Sequence, residues 1–339
     1  MKKNIWILNH YASNGIGRHY KFAQNLTKRG YNVKIFAAST IHNSNKNRIN
    51  DSRKYIEEIE DTISCVYIRA RNYKGNGKDR ILNMIDYAYG LLSVSKKFDS
   101  EKPDIIYASS VHPLTWLSGY ILSKRYDAKF IAETRDLWPE TLVAMGQIKK
   151  NSIPAKLLYK LEKFIYKKAD RLIFTFPGGK DYVEEIGLDP SKVRYINNGV
   201  DLEEYNYNKE KYQYADEDLD DNSTFKILYT GSMGQANELS YLLEAAKIIQ
   251  DKGVKNIKFI LFGDGYQRKG LEQFAKDNNL QNVIFKGKVE KKYIPSILSR
   301  SDLNVFTGKH IYLYKYGLSL NKMFDYFASG KPKLSPYNC

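Results

Sequence analysis

Three acids, an arginine and a tryptophan share the eight residues ETRDLWPE, which run from Glu133 to Glu140. They follow a short apolar run that reads as a strand, and open α/β sheets carry reactive groups at the carboxyl ends of their strands. Arg135 and Asp136 are therefore candidate catalytic residues. The same stretch also suits a structural ion pair of Arg135 with Asp136 or Glu140 beside a buried Trp138. His112 stands after the strand-like IIYAS and ahead of a helical segment, and it is the third catalytic candidate. A lone histidine there also fits a purely structural role.

Glycine turns supply the second kind of chemistry. NGIGR, residues 14–18, follows the first apolar run and opens an amphipathic segment, so Gly15, Gly17 and Arg18 could offer backbone N–H groups and a helix dipole to an anion. The third glycine of a dinucleotide fingerprint is missing, which leaves a tight βα turn as the other reading. GSMG, residues 231–234, repeats the arrangement after FKILYT and adds Gly231, Ser232 and Gly234 as ligand candidates. Gly263 opens GDG after IKFILF, where a simple turn is the alternative, and Lys288 follows the strand-like VIFKG. No zinc, Walker or nucleophile-elbow pattern occurs.

Positioning these residues requires strands alternating with helices. Apolar runs predict strands at 4–9, 32–38, 105–108, 129–133 and 171–175, with helices over 17–29, 81–98, 114–123 and 154–168. The alternation restarts with strands at 226–229, 257–262, 283–286 and 303–306 and helices over 239–251, 267–277 and 293–299. A last helix is expected over 319–328, with Ser319 as N-cap and Leu320, Met323, Phe324 and Phe327 on one apolar stripe. Such alternation argues for parallel sheets covered by helices on both faces. Residues 201–224 are polar, acidic toward the end and aperiodic, and read as a linker plus surface loop. The expected architecture is α/β: one Rossmann-like domain over 1–200, another over 225–339, and a ligand cleft between the carboxyl ends of their sheets.

The formal charge of +16 over 339 residues points to an anionic surface or ligand, although Lys- and Asn-rich composition bias explains part of it. Cys65 and Cys339 form no CxxC and belong to no metal-ligand spacing, which suits a reducing compartment. The N-terminal apolar run is broken by Asn9 and His10, and no stretch approaches about 18 uninterrupted apolar residues. The expected location is cytoplasmic, either free or peripheral on the inner membrane face. Two basic segments face that question: RARNYKGNGKDRILN at 69–83, and residues 149–171, whose helical part 156–168 could lie on an anionic bilayer or simply expose a solvated face. Basic residues are not interleaved with aromatic platforms, so nucleic acid is not expected as a partner.

NGIGR, KKADRLIFTF, YINNGVDLEEY, YTGSMG, FILFGDG, VIFKGKV and KYGLSLNKMFDYFASGKP, in this order, resemble the retaining glycosyltransferase family 4 of the GT-B fold. RDLWPE together with YGLSLNKMFDYFASGKP is similar to the branch of N-acetyl-L-fucosamine transferases in surface-polysaccharide assembly. The resemblance implies transfer of a sugar, expected to be a UDP-linked amino sugar, to a lipid-linked or glycan acceptor with retention, in O-antigen or capsule-type synthesis. The nucleotide-sugar is then a substrate, and neither a metal nor another cofactor is implied. Asp325, five residues before Gly330, matches the second acid of the family's Glu-x7-Glu motif, which holds the donor ribose, while the first acid's place is taken by Gly317. The N–H groups of Leu320, Asn321 and Lys322 would then meet the diphosphate. The family's Arg and Lys after the second glycine loop are replaced by Gln235, Ala236 and Asn237, so Lys322 or Lys315 is expected to neutralise the leaving group. The resemblance places Arg135 and Asp136 at the family's His-Asp. It also implies further elements after GKP, so an incomplete second domain is expected, with an inactive truncated remnant as the alternative reading.

Overall fold

The computed structural model describes residues 2–13, 15, 17–41, 46–75, 77–110 and 112–335. Asn14 and Ile16 of the first glycine turn and residues 336–339, with Cys339, lie outside the described residues. The chain divides into two compact units, residues 1–197 with 315–318, and residues 198–314 with 319–339.

The first unit runs β1 (Asn4–Leu8), α1 (Arg18–Lys28), β2 (Asn32–Ala38), β3 (Tyr55–Glu60), β4 (Ile63–Ile68), α2 (Lys78–Val94), β5 (Ile105–Ser109) and α3 (Pro113–Tyr126). It continues with β6 (Lys129–Thr134), α4 (Glu140–Ala144), α5 (Ile153–Lys168), β7 (Arg171–Phe174), α6 (Gly179–Glu185) and β8 (Val193–Tyr195). Its eight strands stand in the order β3-β4-β2-β1-β5-β6-β7-β8. All pair in parallel except β3, which forms an antiparallel hairpin with β4. That hairpin is absent from the sequence reading. Its cue is local: Asp61 and Thr62 both take positive φ, the two-residue turn that suits the strand twist.

Because helices cover both faces, strand residues are buried in unbroken runs rather than alternately. Odd-numbered residues of β1, β2 and β4, such as Ile7, Ile35 and Tyr67, pack with Tyr20 and Ala23 of α1. The even face takes α2 and α3, which approach closely where glycine leaves room. A Cβ on Gly90 would lie 2.5 Å from Ile68 Cγ2, and one on Gly119 would lie 2.7 Å from Ala108 Cβ.

The second unit runs α7 (Leu202–Lys211), α8 (Glu217–Asp220), β9 (Phe225–Thr230), α9 (Ser240–Asp251), β10 (Ile257–Phe262), α10 (Arg268–Asp277) and β11 (Val283–Gly287). It closes with α11 (Ile294–Ser299), β12 (Leu303–Val305), α12 (Asn321–Ala328) and β13 (Lys333–Leu334). The sheet order is β11-β10-β9-β12-β13, parallel throughout.

Residues 201–224 are thus not a bare linker. Asp201 caps α7 by accepting from the Glu204 N–H, and Tyr205 is buried. The acidic run is ordered by charge: Asp216 and Asp218 hold Lys286 at 2.8 and 2.7 Å, while Asp218 and Asp221 hold Lys258 at 3.2 and 3.1 Å. Its aperiodicity in sequence reflects contacts made with strand lysines far along the chain.

Two further expectations change at the C-terminal end. Ser319 does not cap α12; Leu320 is the N-cap residue and makes no side-chain cap, while Ser319 O accepts from Asn198 Nδ2 at 2.8 Å. Lys333 and Leu334, assigned to no element by the sequence reading, form a strand that pairs with β12, in register with Asn304 and Val305. Two ladder bonds, Asn304 N–H to Pro332 O and Phe306 N–H to Leu334 O, suffice to hold them without an apolar run. No described helix is long and apolar enough to cross a membrane.

Candidate functional site

In the second unit the glycine loops meet where β9, β10 and β11 end. Gly231 and Gly263 sit at φ 151° and 142°, and a Cβ on Gly263 would fall 1.7 Å from Gly231 O, so no other residue fits there. Backbone bonds tie the loops together: Gly231 N–H to Phe262 O, Met233 N–H to Asp264 O, and Gly263 N–H to Gly287 O. Ser232 is exposed, and its carbonyl accepts from Tyr229 OH at 2.7 Å and from Asn237 Nδ2 at 3.0 Å. Gly234 precedes a short turn over Gln235–Asn237.

α12 is locked onto this edge by Tyr326, which is fully buried and whose hydroxyl accepts from Thr230 N–H at 2.9 Å and donates to Val305 O at 3.2 Å. The side chain of Lys322, in the first turn of α12, reaches the Gly231 loop: a Cβ on Gly231 would lie 3.1 Å from Lys322 Nζ. Lys322 Nζ donates to Asn237 Oδ1 at 2.8 Å and to Tyr229 OH at 3.1 Å, and lies 4.4 Å from the Tyr229 ring centroid. Among the described residues it pairs with no carboxylate, and burial pushes its ammonium down to about 7. One turn on, burial raises the Asp325 carboxyl above its usual range against the opposing charge of Lys291. Lys288 follows β11 and is exposed. Contacts link Gly231, Ser232, Gly263 and Lys322, while Gly234 closes the first loop, Leu320 and Asn321 adjoin Lys322 at the head of α12, Lys288 directly follows β11, and Asp325 lies one turn on from Lys322.

Lys315 is not part of that cluster. It belongs to the first unit and pairs with Glu185 at 3.0 Å. Gly317 likewise has a structural reason for carrying no acid: at φ 96° its Cβ would sit 2.6 Å from Pro177 Cδ.

In the first unit Glu133, at the end of β6, is the charge centre. It is fully buried and accepts from Arg18 Nε and Nη2 at 3.0 and 2.9 Å, from Tyr107 OH at 2.7 Å and from His19 Nε2 at 2.9 Å. Burial pushes its carboxyl up, yet the His19 hydrogen bond and the charges of His19 and Arg18 outweigh it, and the group lies far below the ordinary carboxylate range. Arg18 also donates to Asn197 O and to Ile196 O, so its guanidinium is engaged in holding β6 and the segment after β8. Gly15 and Gly17 take positive φ and are exposed.

His112 and Arg135 follow adjacent strands, β5 and β6. The Arg135 N–H donates to Ser110 Oγ at 3.1 Å, whereas Asp136 faces solvent. His112 is buried beside a residue that sequence reading passed over: its Nε2 lies 2.7 Å from His10 Nδ1, and His10 Nε2 lies 2.7 Å from Asn83 Oδ1. Burial, and then the charges of His10 and Arg80, hold the His112 imidazole well below its ordinary value. The cue for His10 is its place directly after the first strand, which His112 shares after β5.

Two α/β units, each built on a largely parallel sheet covered by helices, have the fold of the GT-B glycosyltransferases, and solved structures agree. Sucrose-phosphate synthase from Thermosynechococcus elongatus superposes with a TM-score of 0.70 at 16% identity over 98% of this chain and 81% of that one. HepE from Anabaena, in complex with UDP and glucose, superposes with a TM-score of 0.64 at 13% identity over 98% and 80%. The model of Glycosyltransferase Family 4 matches residues 13–204, and that of the glycosyl transferases group 1 matches 224–335. The chain belongs to glycosyltransferase family 4. Among curated proteins it is similar to the Escherichia coli UDP-Gal:alpha-D-GlcNAc-diphosphoundecaprenol alpha-1,3-galactosyltransferase, 29% identical over 67% of this chain and 57% of the relative. The matched region thus spans little more than half the length of that relative.

Proposed function

We propose that the protein transfers a sugar from a UDP-linked donor to a lipid-diphosphate-linked or glycan acceptor in bacterial surface-polysaccharide assembly. One observation carries this reading: a partly buried lysine, held by neutral partners alone, faces a glycine-walled turn at the head of a helix. Buried charges are normally paired, and a nucleoside diphosphate has the charge and shape to partner this one. Lys322 and the first amides of α12 would take the diphosphate, and Asp325 would accept from the ribose hydroxyls. Gly231 and Gly263 would let the backbone approach the phosphates. The UDP preference and the lipid-linked acceptor are supported by the relative's name; the motifs suggest an amino sugar.

During transfer, the bond from the sugar's anomeric carbon to the diphosphate oxygen breaks and the acceptor oxygen bonds to that carbon. With retention, the acceptor's proton passes to the departing diphosphate, so the protein needs no base of its own. Lys322 would stabilise the negative charge as it develops. Arg135, which follows β6 as His112 follows β5, and the Gly15–Gly17 turn are the first unit's own candidates for a part in the transfer. Lys288 would meet the donor at the edge of the cluster. The exposed stripe of α5, where Ile153, Leu157 and Phe164 mix with lysines, would lie on an anionic membrane face.

The test is the thermal unfolding of the full chain with UDP, GDP, ADP and CMP, with an Asp325→Ala control. A rise in melting temperature with UDP that the control abolishes is the expected result. Equal shifts with all four nucleotides, or none, would overturn the reading.

A further inference from the structure

The even face of the first unit's sheet carries α2, α3 and, through Tyr166 OH on Thr134 Oγ1 at 2.8 Å, α5. These helices differ from α1, which covers the odd face and exposes no large apolar residue. α2 exposes Ile81, Ile85 and Tyr89, the last at 77% of its full surface, and their spacing of four sets them in one outward stripe. α3 adds Ile121, and α5 adds Ile153, Leu157 and Phe164. Among the described residues, every exposed large apolar residue on a helix of this unit lies on these three.

The three helices join into one surface. Ser118 Oγ of α3 donates to Ala88 O of α2 at 3.5 Å, and Arg125 Nη1 donates to Leu92 O at 2.8 Å. On the other side of α3, the Tyr120 ring stands 5.0 Å from that of Phe164 in α5. α3 buries Trp116 and Leu122 yet leaves Leu117 half-buried and Ile121 open to solvent, so it is apolar on its outer side as well. A helix that is apolar all round is ordinarily covered.

The charges around this apolar surface have nearly one sign. α3 contains no acid, and the single acid of α5, Glu162, is buried. Lys124 and Arg125 of α3 are exposed, as are Lys156, Lys160, Lys163, Lys167 and Lys168 of α5. On α2, Asp86 is held by Arg71 at 2.7 Å, which leaves Asp79 as the one exposed acid of the three helices. A second copy of the chain would set these cations against their like. A bilayer with anionic headgroups offers the opposite charge and an apolar interior together.

We infer that α2, α3 and α5 form one docking face for an anionic bilayer. In it, Ile81, Ile85 and Tyr89 of α2 enter the apolar boundary while the lysines of α5 hold the headgroups. The inference deepens the membrane reading of α5 given above and rests on it.

The test is flotation of the full chain with phosphatidylcholine vesicles that contain or lack phosphatidylglycerol. The wild type should float with the anionic vesicles only. Ile81→Ser, Ile85→Ser and Tyr89→Ser together leave the net charge untouched and should lower partitioning at least about tenfold, with the melting temperature of the free protein unchanged. Undiminished flotation of this folded variant would overturn the role of α2 and leave the lysines of α5 as the whole contact. A wild type indifferent to phosphatidylglycerol would remove the membrane reading of α5 along with it.

A polarity-sensitive dye reads the orientation. It is placed on Ser93→Cys, on the exposed side of α2, and separately on Asn25→Cys, on the exposed side of α1, in a Cys339→Ser background; Cys65 is buried. Anionic vesicles should blue-shift the first dye and leave the second unmoved. A shift of both, or of neither, would overturn the assignment of the face. A shift at position 93 without vesicles, growing with protein concentration and lost in the triple variant, would mark a contact between copies of the chain and overturn the bilayer as occupant. None of these readouts involves a nucleotide, so the sugar-transfer proposal stands or falls separately.

Discussion

Lys322 Nζ donates to Asn237 Oδ1 at 2.8 Å, and this neutral amide is the nearest compensation the ammonium has. Asn237 is held in turn by Nδ2 donating to Ser232 O and Oγ, both at 3.0 Å. The cation is therefore aimed at the glycine turn by a fixed amide rather than neutralised by an acid.

Lys322→Met should act in opposite directions on the free and the bound protein. Loss of a charge-assisted contact lowers UDP affinity by roughly 10- to 100-fold in calorimetry. The free protein should not lose stability. Since the folded ammonium titrates at about 7, below its unfolded value, the wild type gains stability as pH rises from there toward the ordinary lysine range, and the variant should lack that gain. A fall in the variant's melting temperature at pH 7 equal to its loss of UDP affinity would sink this account.

Glu133→Gln leaves the Arg18 guanidinium without its counter-charge and takes the carboxylate acceptor from His19, whose imidazole burial holds below its ordinary value. Breaking such a buried pair costs about 3–5 kcal/mol, so the denaturant midpoint should drop steeply. The wild-type contribution is complete above the ordinary carboxylate range and disappears only as pH falls toward the depressed folded value. A near-neutral substitution would mean that Arg18 is free for another ligand.

Glu162 in α5 is fully buried, and its Oε1 accepts from Tyr182 OH at 2.9 Å. Burial, reinforced by Glu140, pushes its carboxyl up to about 8. The raised value favours folding below the unfolded carboxylate range, and that stability is lost as pH rises through 8. Glu162→Gln should match the wild type at pH 5 and exceed it at pH 9, by on the order of a few kcal/mol. Parallel melting curves across that range would refute the buried, protonated acid.

Lys156, Lys160 and Lys163 project from the exposed stripe of α5. Reversing all three to glutamate should weaken binding to phosphatidylglycerol vesicles by at least about tenfold, at roughly 1 kcal/mol per charge near the surface. Added salt should weaken the wild type in the same direction. Binding that ignores both changes would rule out the membrane role of this helix.

Much of the architecture is readable from local pattern. The apolar run of residues 4–9 and the stripe of residues 17–29 report their own strand and helix, because periodicity and turn chemistry act over a few residues. The same holds for the Gly231 and Gly263 turns, whose types follow from the φ they must adopt. The 201–224 segment failed that test because its order comes from Lys258 and Lys286, which no local window contains.

By itself the sequence determined the two α/β series, the glycine turns at their strand ends and the family they resemble. Tertiary structure alone decided which groups meet. Asn83 of α2 reaches His10 across 73 positions, and Arg18 reaches Glu133 across 115 because strand order sets β1, β5 and β6 side by side. Protonation was likewise undecidable in one dimension: whether an imidazole carries its hydrogen on Nδ1 or Nε2, or a lysine its charge, depends on burial and on partners. Those are set by packing between elements distant in the chain.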